Sequence, residues 1–170
     1  MLAAAVLFAG CGGSDSTTTP VVTGVEAGTN TVPNGGAALY LTSPGGELLI
    51  RSPVSGAGDG AGRYLRLVRL LAASPGSPLP QGTTVRSAEV DGHVLTVNFS
   101  RQFKTGYPSG GAAAENLIVG SIVFSVTGSF PEINAIMITV DGATPDLPTQ
   151  YDLSSPIRPA DLPADLLAVL

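Results

Sequence analysis

The chain predicts an α+β domain: one mixed β-sheet with two helices packed on one face. Three observations carry this. Around Asp91-Gly92, a two-residue hairpin signal, apolar residues alternate with polar ones. Two other stretches repeat their apolar residues at i, i+3, i+4 and i+7, the spacing of a helix with one buried face. Each of these follows a pair of strand-like runs, and one more strand closes the series, giving β-β-α-β-β-α-β.

The elements follow in order. Ala37 to Thr42 and Glu47 to Val54 are short apolar runs flanking Ser43-Pro44-Gly45-Gly46, a strong turn signal. They read as two strands of a hairpin. Tyr64, Leu67, Val68 and Leu71 then form a helical stripe, with Arg63, Arg66 and Arg69 on the opposite side. That arginine row is a candidate partner-binding face for an acidic protein, although a solvated helix face is the commoner origin of such a row. Pro75 ends the helix.

The hairpin from Thr83 to Arg101 is the clearest in the chain. A turn at Asp91-Gly92 sets Val90 opposite His93, Ala88 opposite Leu95 and Arg86 opposite Val97. Leu95, Val97 and Phe99 then share a face that packs on a helix. Ser87, Glu89, Thr96 and Asn98 share the other, with Val85 and Val94 among them. Phe103 to Gly111 reads as a loop. The second helix follows, with Val119, Ile122, Val123 and Val126 as its stripe. Gly120 within it lowers helix propensity by about 1 kcal/mol against Ala and allows close packing on the sheet. Asn134 to Gly142 is the last strand. The remaining tail is proline-rich and irregular, with a short helix expected from Pro163.

At 170 residues, 44 % hydrophobic and 12 % charged, the chain has the composition of a single packed domain rather than a disordered polyelectrolyte. Its net charge of -5 gives no basic footprint for nucleic acid. Aromatic residues make up 5 % and Trp is absent, which weighs against a sugar-stacking platform.

Cys11 is the only cysteine and His93 the only histidine, so an internal disulfide and a Cys/His zinc site are excluded. The apolar run before Cys11 is too short to span a bilayer and fits a secretory signal. Leu7-Phe8-Ala9-Gly10-Cys11 resembles a bacterial lipobox, with Phe8 where Leu is usual and no Lys or Arg ahead of the run. The resemblance implies a lipidated Cys11 and a protein held on the extracytoplasmic face of the cell membrane. Residues 1–11 are therefore expected to be a signal peptide ending in the lipobox cysteine, 12–36 a flexible Gly/Ser/Thr/Pro tether, 37–160 the domain, and 161–170 a C-terminal tail.

The catalytic inventory is thin. There is no G-x-S-x-G, P-loop or G-x-G-x-x-G. Gly56 to Gly62 lacks the Lys-Ser/Thr ending of a phosphate cradle. His93 sits beside a turn. Asp91 and Asp141 precede glycines, where turn chemistry accounts for them; together with Glu89 and Asp146 they are the available pairs for carboxylate chemistry. Asp141, Asp146 and Asp152 offer oxygen ligands to calcium without the spacing of an EF-hand. The expectation is a protein that is not an enzyme, with no cofactor and no metal.

Four segments carry a family resemblance: "ALYLTS", "RYLRLVRLLAASPGSPLPQGTTV", "VDGHVLTVNFSRQF" and "AENLIVGSIVFSVTGSFPEINAIMITVDG", followed by a late "SSPIRPADL". Their order and spacing resemble the GerMN domain family over residues 37 to 160. Ser121 stands where the family commonly has Gln, and Ser125 where it commonly has Thr. The resemblance implies a fold similar to ring-building motifs. It also implies an extracytoplasmic module, usually on lipoproteins, linked to sporulation or germination. The expected role is non-enzymatic: binding envelope proteins, or self-association, in an assembly. A small-ligand or cell-wall glycan binding module is the alternative.

Overall fold

The computed structural model describes residues 36–57, 60–109 and 111–168. Cys11, the signal segment and the tether as far as residue 35 lie outside them. Strand β1 (Ala38–Thr42) pairs antiparallel with β2 (Leu49–Pro53), Tyr40 opposite Arg51. Helix α1 (Arg63–Ala73) follows and stops at Ser74, whose backbone is extended because Pro75 comes next. Strands β3 (Val85–Asp91) and β4 (Val94–Phe99), helices α2 (Arg101–Thr105) and α3 (Ala112–Ser129), strand β5 (Ala135–Val140) and a 3-10 turn at Pro159–Asp161 complete the order.

The class is α+β, and the larger sheet is mixed: β4 lies between β3, antiparallel to it, and β5, parallel to it. The five strands nevertheless divide between two sheets, because β1 and β2 form a separate pair. The physical reason lies on α3. Ser129 Oγ accepts from Ala38 N at 3.0 Å and donates to Ala38 O at 3.1 Å. Ser125 Oγ accepts from Tyr40 N at 2.8 Å, and Ser121 Oγ donates to Tyr40 O at 2.5 Å. The side chains of a helix thus occupy the β1 edge that a third strand would need.

The two periodicities match. Four residues of helix rise about 6 Å, and two residues of strand advance about 6.6 Å. Serines four apart on α3 therefore meet alternate residues of β1. Thr127, on another face, instead bonds back to Val123 O within the helix.

The face of β4 bearing Leu95, Val97 and Phe99 is fully buried beneath α1 and α3. Two details differ from the expected hairpin. The two-residue turn is Gly92-His93, not Asp91-Gly92, so Asp91 pairs with Val94 and Val90 with Leu95. Gly92 supplies the positive φ (58°) at the first turn position. Furthermore, β3 carries a bulge between Val85 and Ser87, and the extra residue turns Val85 inward opposite Phe99.

Further differences trace to tertiary packing. The start of the expected Phe103–Gly111 loop belongs to α2, held by Phe103 stacking on Phe99 at 4.6 Å. Helix α3 has no single stripe; residues Leu117 to Val126 are buried all round, since β1, α1, β5 and the tail surround it. It is long and apolar enough to cross a membrane, but most of it is buried inside the fold. The tail is irregular, with its short helix at Pro159–Asp161 rather than from Pro163. The core continues beyond residue 160: Leu162 and Leu166 are buried, and Leu49 exchanges backbone bonds with Leu166 and Ala168. Leu166 fills the notch over Gly120, where a Cβ would collide with it and approach Leu49 Cδ1 to 3.1 Å.

Ser125→Ala leaves the buried Tyr40 N–H without an acceptor and is expected to cost about 1–3 kcal/mol, read as a lower urea midpoint. An unchanged midpoint would show the hydroxyl to be dispensable. Gly120→Ala should cost about 1–3 kcal/mol by overpacking. Combining it with Leu166→Ala should recover part of that loss in a double-mutant cycle; strict additivity would place the strain elsewhere.

Candidate interaction surface

The outward side of α1 and the adjoining edge of β3 make the most distinctive surface among the described residues. The three arginines read from the sequence all lie on α1, but their settings differ. Arg63 faces Glu132, with Nη2 to Oε1 at 2.5 Å, and lies 4.8 Å from the Tyr64 ring centroid and 5.3 Å from that of Phe130. Tyr64 donates to the same carboxylate oxygen at 2.9 Å. His93 Nδ1 donates to the Glu132 backbone carbonyl at 2.8 Å. This network joins the start of α1, the β3–β4 turn and the α3–β5 loop. His93 therefore has a bracing contact with a carbonyl and, among the described residues, none with a carboxylate.

Partial desolvation pushes the Glu132 carboxyl upward. Hydrogen bonds from its own backbone, Tyr64 and Arg63, with the charge of Arg63, outweigh it and hold the group below its ordinary value. Arg66 donates to Ala61 O at 3.2 Å and is exposed. Arg69 donates from Nε to Val85 O at 3.3 Å, bridging α1 to the inward-turned residue of the bulge. Arg63 is thus tied at one end of the helix and Arg69 at the other.

Between α1 and the start of β3 runs a groove of about 420 Å³, lined by Arg69, Ala72, Ala73, Thr83, Thr84 and Val85. Thr83 is 7 % exposed, and its hydroxyl has no hydrogen-bond partner. Beyond the groove β3 pairs only with β4, so its other edge is open among the described residues. Val90 on β3 and Leu70 on α1 are exposed large apolar side chains beside it. Nothing in the sequence pattern signals this groove, because the bulge beside Val85 leaves no mark in composition.

The candidate acidic groups are not gathered. Asp141 pairs with Arg86 at 2.8 Å and with Arg101 at 3.7 Å. Asp152 closes a local turn with the hydroxyls of Ser154 and Ser155 and the Ser154 N–H, which lower its pKa. Among the described residues no group of three or more His, Cys, Asp or Glu could hold a metal ion. A part-buried polar cluster around the buried Glu115 does exist elsewhere, missed by sequence reasoning. Glu115 accepts from Gln150 N at 3.1 Å, and Asn116 Oδ1 accepts from Tyr151 Oη at 2.5 Å. Burial pushes the nearby Tyr107 phenol up to about 12. The cluster fastens the tail to the start of α3.

Comparison with known proteins places this geometry. The sequence model of the Germane family, described as "Sporulation and spore germination", matches residues 38–146. The "Putative Lipoprotein from Clostridium perfringens", a crystal structure, is similar at TM-score 0.52 and 22 % identity, over 76 % of this chain and 91 % of that one. The tandem GerMN domains of the sporulation protein GerM from Bacillus subtilis are similar at TM-score 0.52 and 20 % identity. That likeness covers 68 % of this chain and 44 % of the tandem chain. At these identities the likeness is one of fold. No curated protein matches the chain in sequence.

The depressed Glu132 pKa fixes a sign for acid stability. Its contribution is complete above the ordinary value of 4.5 and is lost as pH falls through the lower folded-state value. The difference in Tm between the native chain and Glu132→Gln should be largest near neutral pH and shrink below that point. A difference independent of pH would assign the effect to packing instead.

Proposed function

Since the chain belongs to the Germane, or GerMN, family of sporulation and spore germination domains, we propose that it is a membrane-anchored, non-enzymatic interaction module of the cell envelope. Cys11 carries the lipid, residues 12–36 span the distance to the membrane, and the folded domain meets a protein partner or a second copy outside the cell. The anchor reading draws support from the lipobox-like sequence at Cys11 and from the fold shared with a protein named as a putative lipoprotein. One lipid-modified cysteine with two or more acyl chains holds a protein on a bilayer, at about 0.8 kcal/mol per buried methylene.

The observation that carries the interaction reading is the open β3 edge beside the exposed Leu70, Val90 and arginine-bearing side of α1. An edge strand is a ready template for a partner, and apolar residues rimmed by charge are what a protein contact buries.

Two measurements on the full-length protein in a bacterial host test this. Intact mass and fractionation should give a chain beginning at Cys11, heavier by a diacylglyceryl group and sedimenting with membranes; an unmodified soluble chain would overturn the anchor. Photo-cross-linkers placed at Leu70 and Val90 should trap a discrete envelope protein or a second copy. Trapping at neither position, with efficient capture elsewhere on the surface, would overturn this interaction face.

A further inference from the structure

We propose that the groove between α1 and β3 is a peptide-binding site for an extended acidic segment of a partner protein, which adds as a strand to the open β3 edge and seats a carboxylate on Arg69. The proposal rests on the interaction reading above and specifies its chemistry.

Three features of the groove point to this ligand. The first is backbone valency. Residues 87–91 of β3 make no backbone hydrogen bond to another described residue outside the β3–β4 ladder, so half their N–H and C=O groups face the edge where a strand would add. The second is charge. Arg69 is anchored through Nε alone, and its terminal nitrogens make no hydrogen bond among the described residues. Arg86 follows Val85 directly, and Arg101 adjoins Ser100, which Thr84 N contacts at 3.0 Å. Asp141 is the one acidic residue paired with these last two arginines. Glu89 and Asp91 lie further along β3, so the carboxylate site is Arg69 at the groove end of the strand. The planar guanidinium suits a carboxylate in a two-point contact.

The third feature is an orphan. The Thr83 hydroxyl lines the groove, buried and without a partner. A buried hydroxyl left unpaired is costly; rotation about χ1 would offer it to a bound peptide. Ala72, Ala73 and Val85 supply apolar wall between the polar groups. A phosphate polymer would use the charge but neither the open strand nor that wall, so a peptide is the occupant the site favours.

The test titrates a fluorescein-labelled peptide, Val-Glu-Val-Asp-Val-Thr-Val, into the full chain kept free of lipid by Cys11→Ser, with amide shifts followed by NMR. Saturable binding is expected, with shifts confined to Thr83–Asp91 and α1 around Arg69, weakening as salt is raised. Arg69→Gln should weaken it by about 10- to 100-fold. Thr83→Val should weaken it while leaving the unfolding midpoint equal or higher. A peptide with Gln and Asn in place of the acids, or with Pro at alternate positions, should not bind.

Equal binding by Arg69→Gln or by the neutral peptide overturns the proposal. So does inorganic polyphosphate shifting the same amides when the peptide does not, or the same shifts appearing on concentrating the protein alone, which would make the occupant a second copy. Cross-links at Leu70 or Val90 that persist in Arg69→Gln would keep the interaction reading while the groove proposal falls. Absence of any cross-link in the native chain would sink the interaction reading, and the peptide titration would still judge the groove.

Discussion

Three serine hydroxyls on α3 satisfy the backbone of β1, and the rest of the fold depends on that contact. Ala38 and Tyr40 each present an N–H and a C=O on the edge away from β2, deep enough that water cannot serve them. Leaving such groups unpaired would cost more than most single contacts gain. Ser121, Ser125 and Ser129 remove that cost without a strand. The β1–β2 pair is thereby fixed to a helix instead of joining β3–β4–β5, and α3 acquires polar contacts on a side that would otherwise face solvent.

Placing α3 at the centre has consequences for everything around it. A helix surrounded by neighbours must be apolar or small on every side, and from Leu117 to Val126 it is. Where the tail crosses it, even a methyl is too large, which is why Gly120 stands in a helix that would otherwise gain stability from Ala. Leu166 occupies the space, and its backbone completes the β2 side with Leu49. The irregular tail is thus a structural part of the core. Its proline-rich composition reflects a path over the surface between anchoring leucines, not independence from the fold.

The surface follows a different logic. Helix α1 buries Leu67, Val68 and Leu71 and turns its arginines outward, as its spacing requires. Once folded, the row separates. Arg63 braces the Glu132 network, whereas Arg69 reaches the carbonyl of Val85. That carbonyl is in reach because a bulge turns Val85 inward, and the same bulge opens the groove beside it. Bulges and charged side chains commonly guard sheet edges against indiscriminate pairing; β3 carries both, with Arg86, Glu89 and Asp91 along it.

What the sequence by itself determined was local. Apolar runs and periodicity located every regular strand and both long helices, proline placed the end of α1, and glycine marked the hairpin turn within one residue. The family pattern was also legible, because it consists of spaced local motifs. The tertiary structure decided which strands share a sheet, the direction Val85 faces, and the role of the serines and Gly120. Those outcomes turn on partners distant in the chain: Ser125 meets Tyr40, Gly120 meets Leu166, and Arg69 meets a bulge whose extra residue has no compositional mark. A serine in a helix reads as neutral until the strand edge it serves is in place, and an arginine reads as solvated until the carbonyl it finds is known.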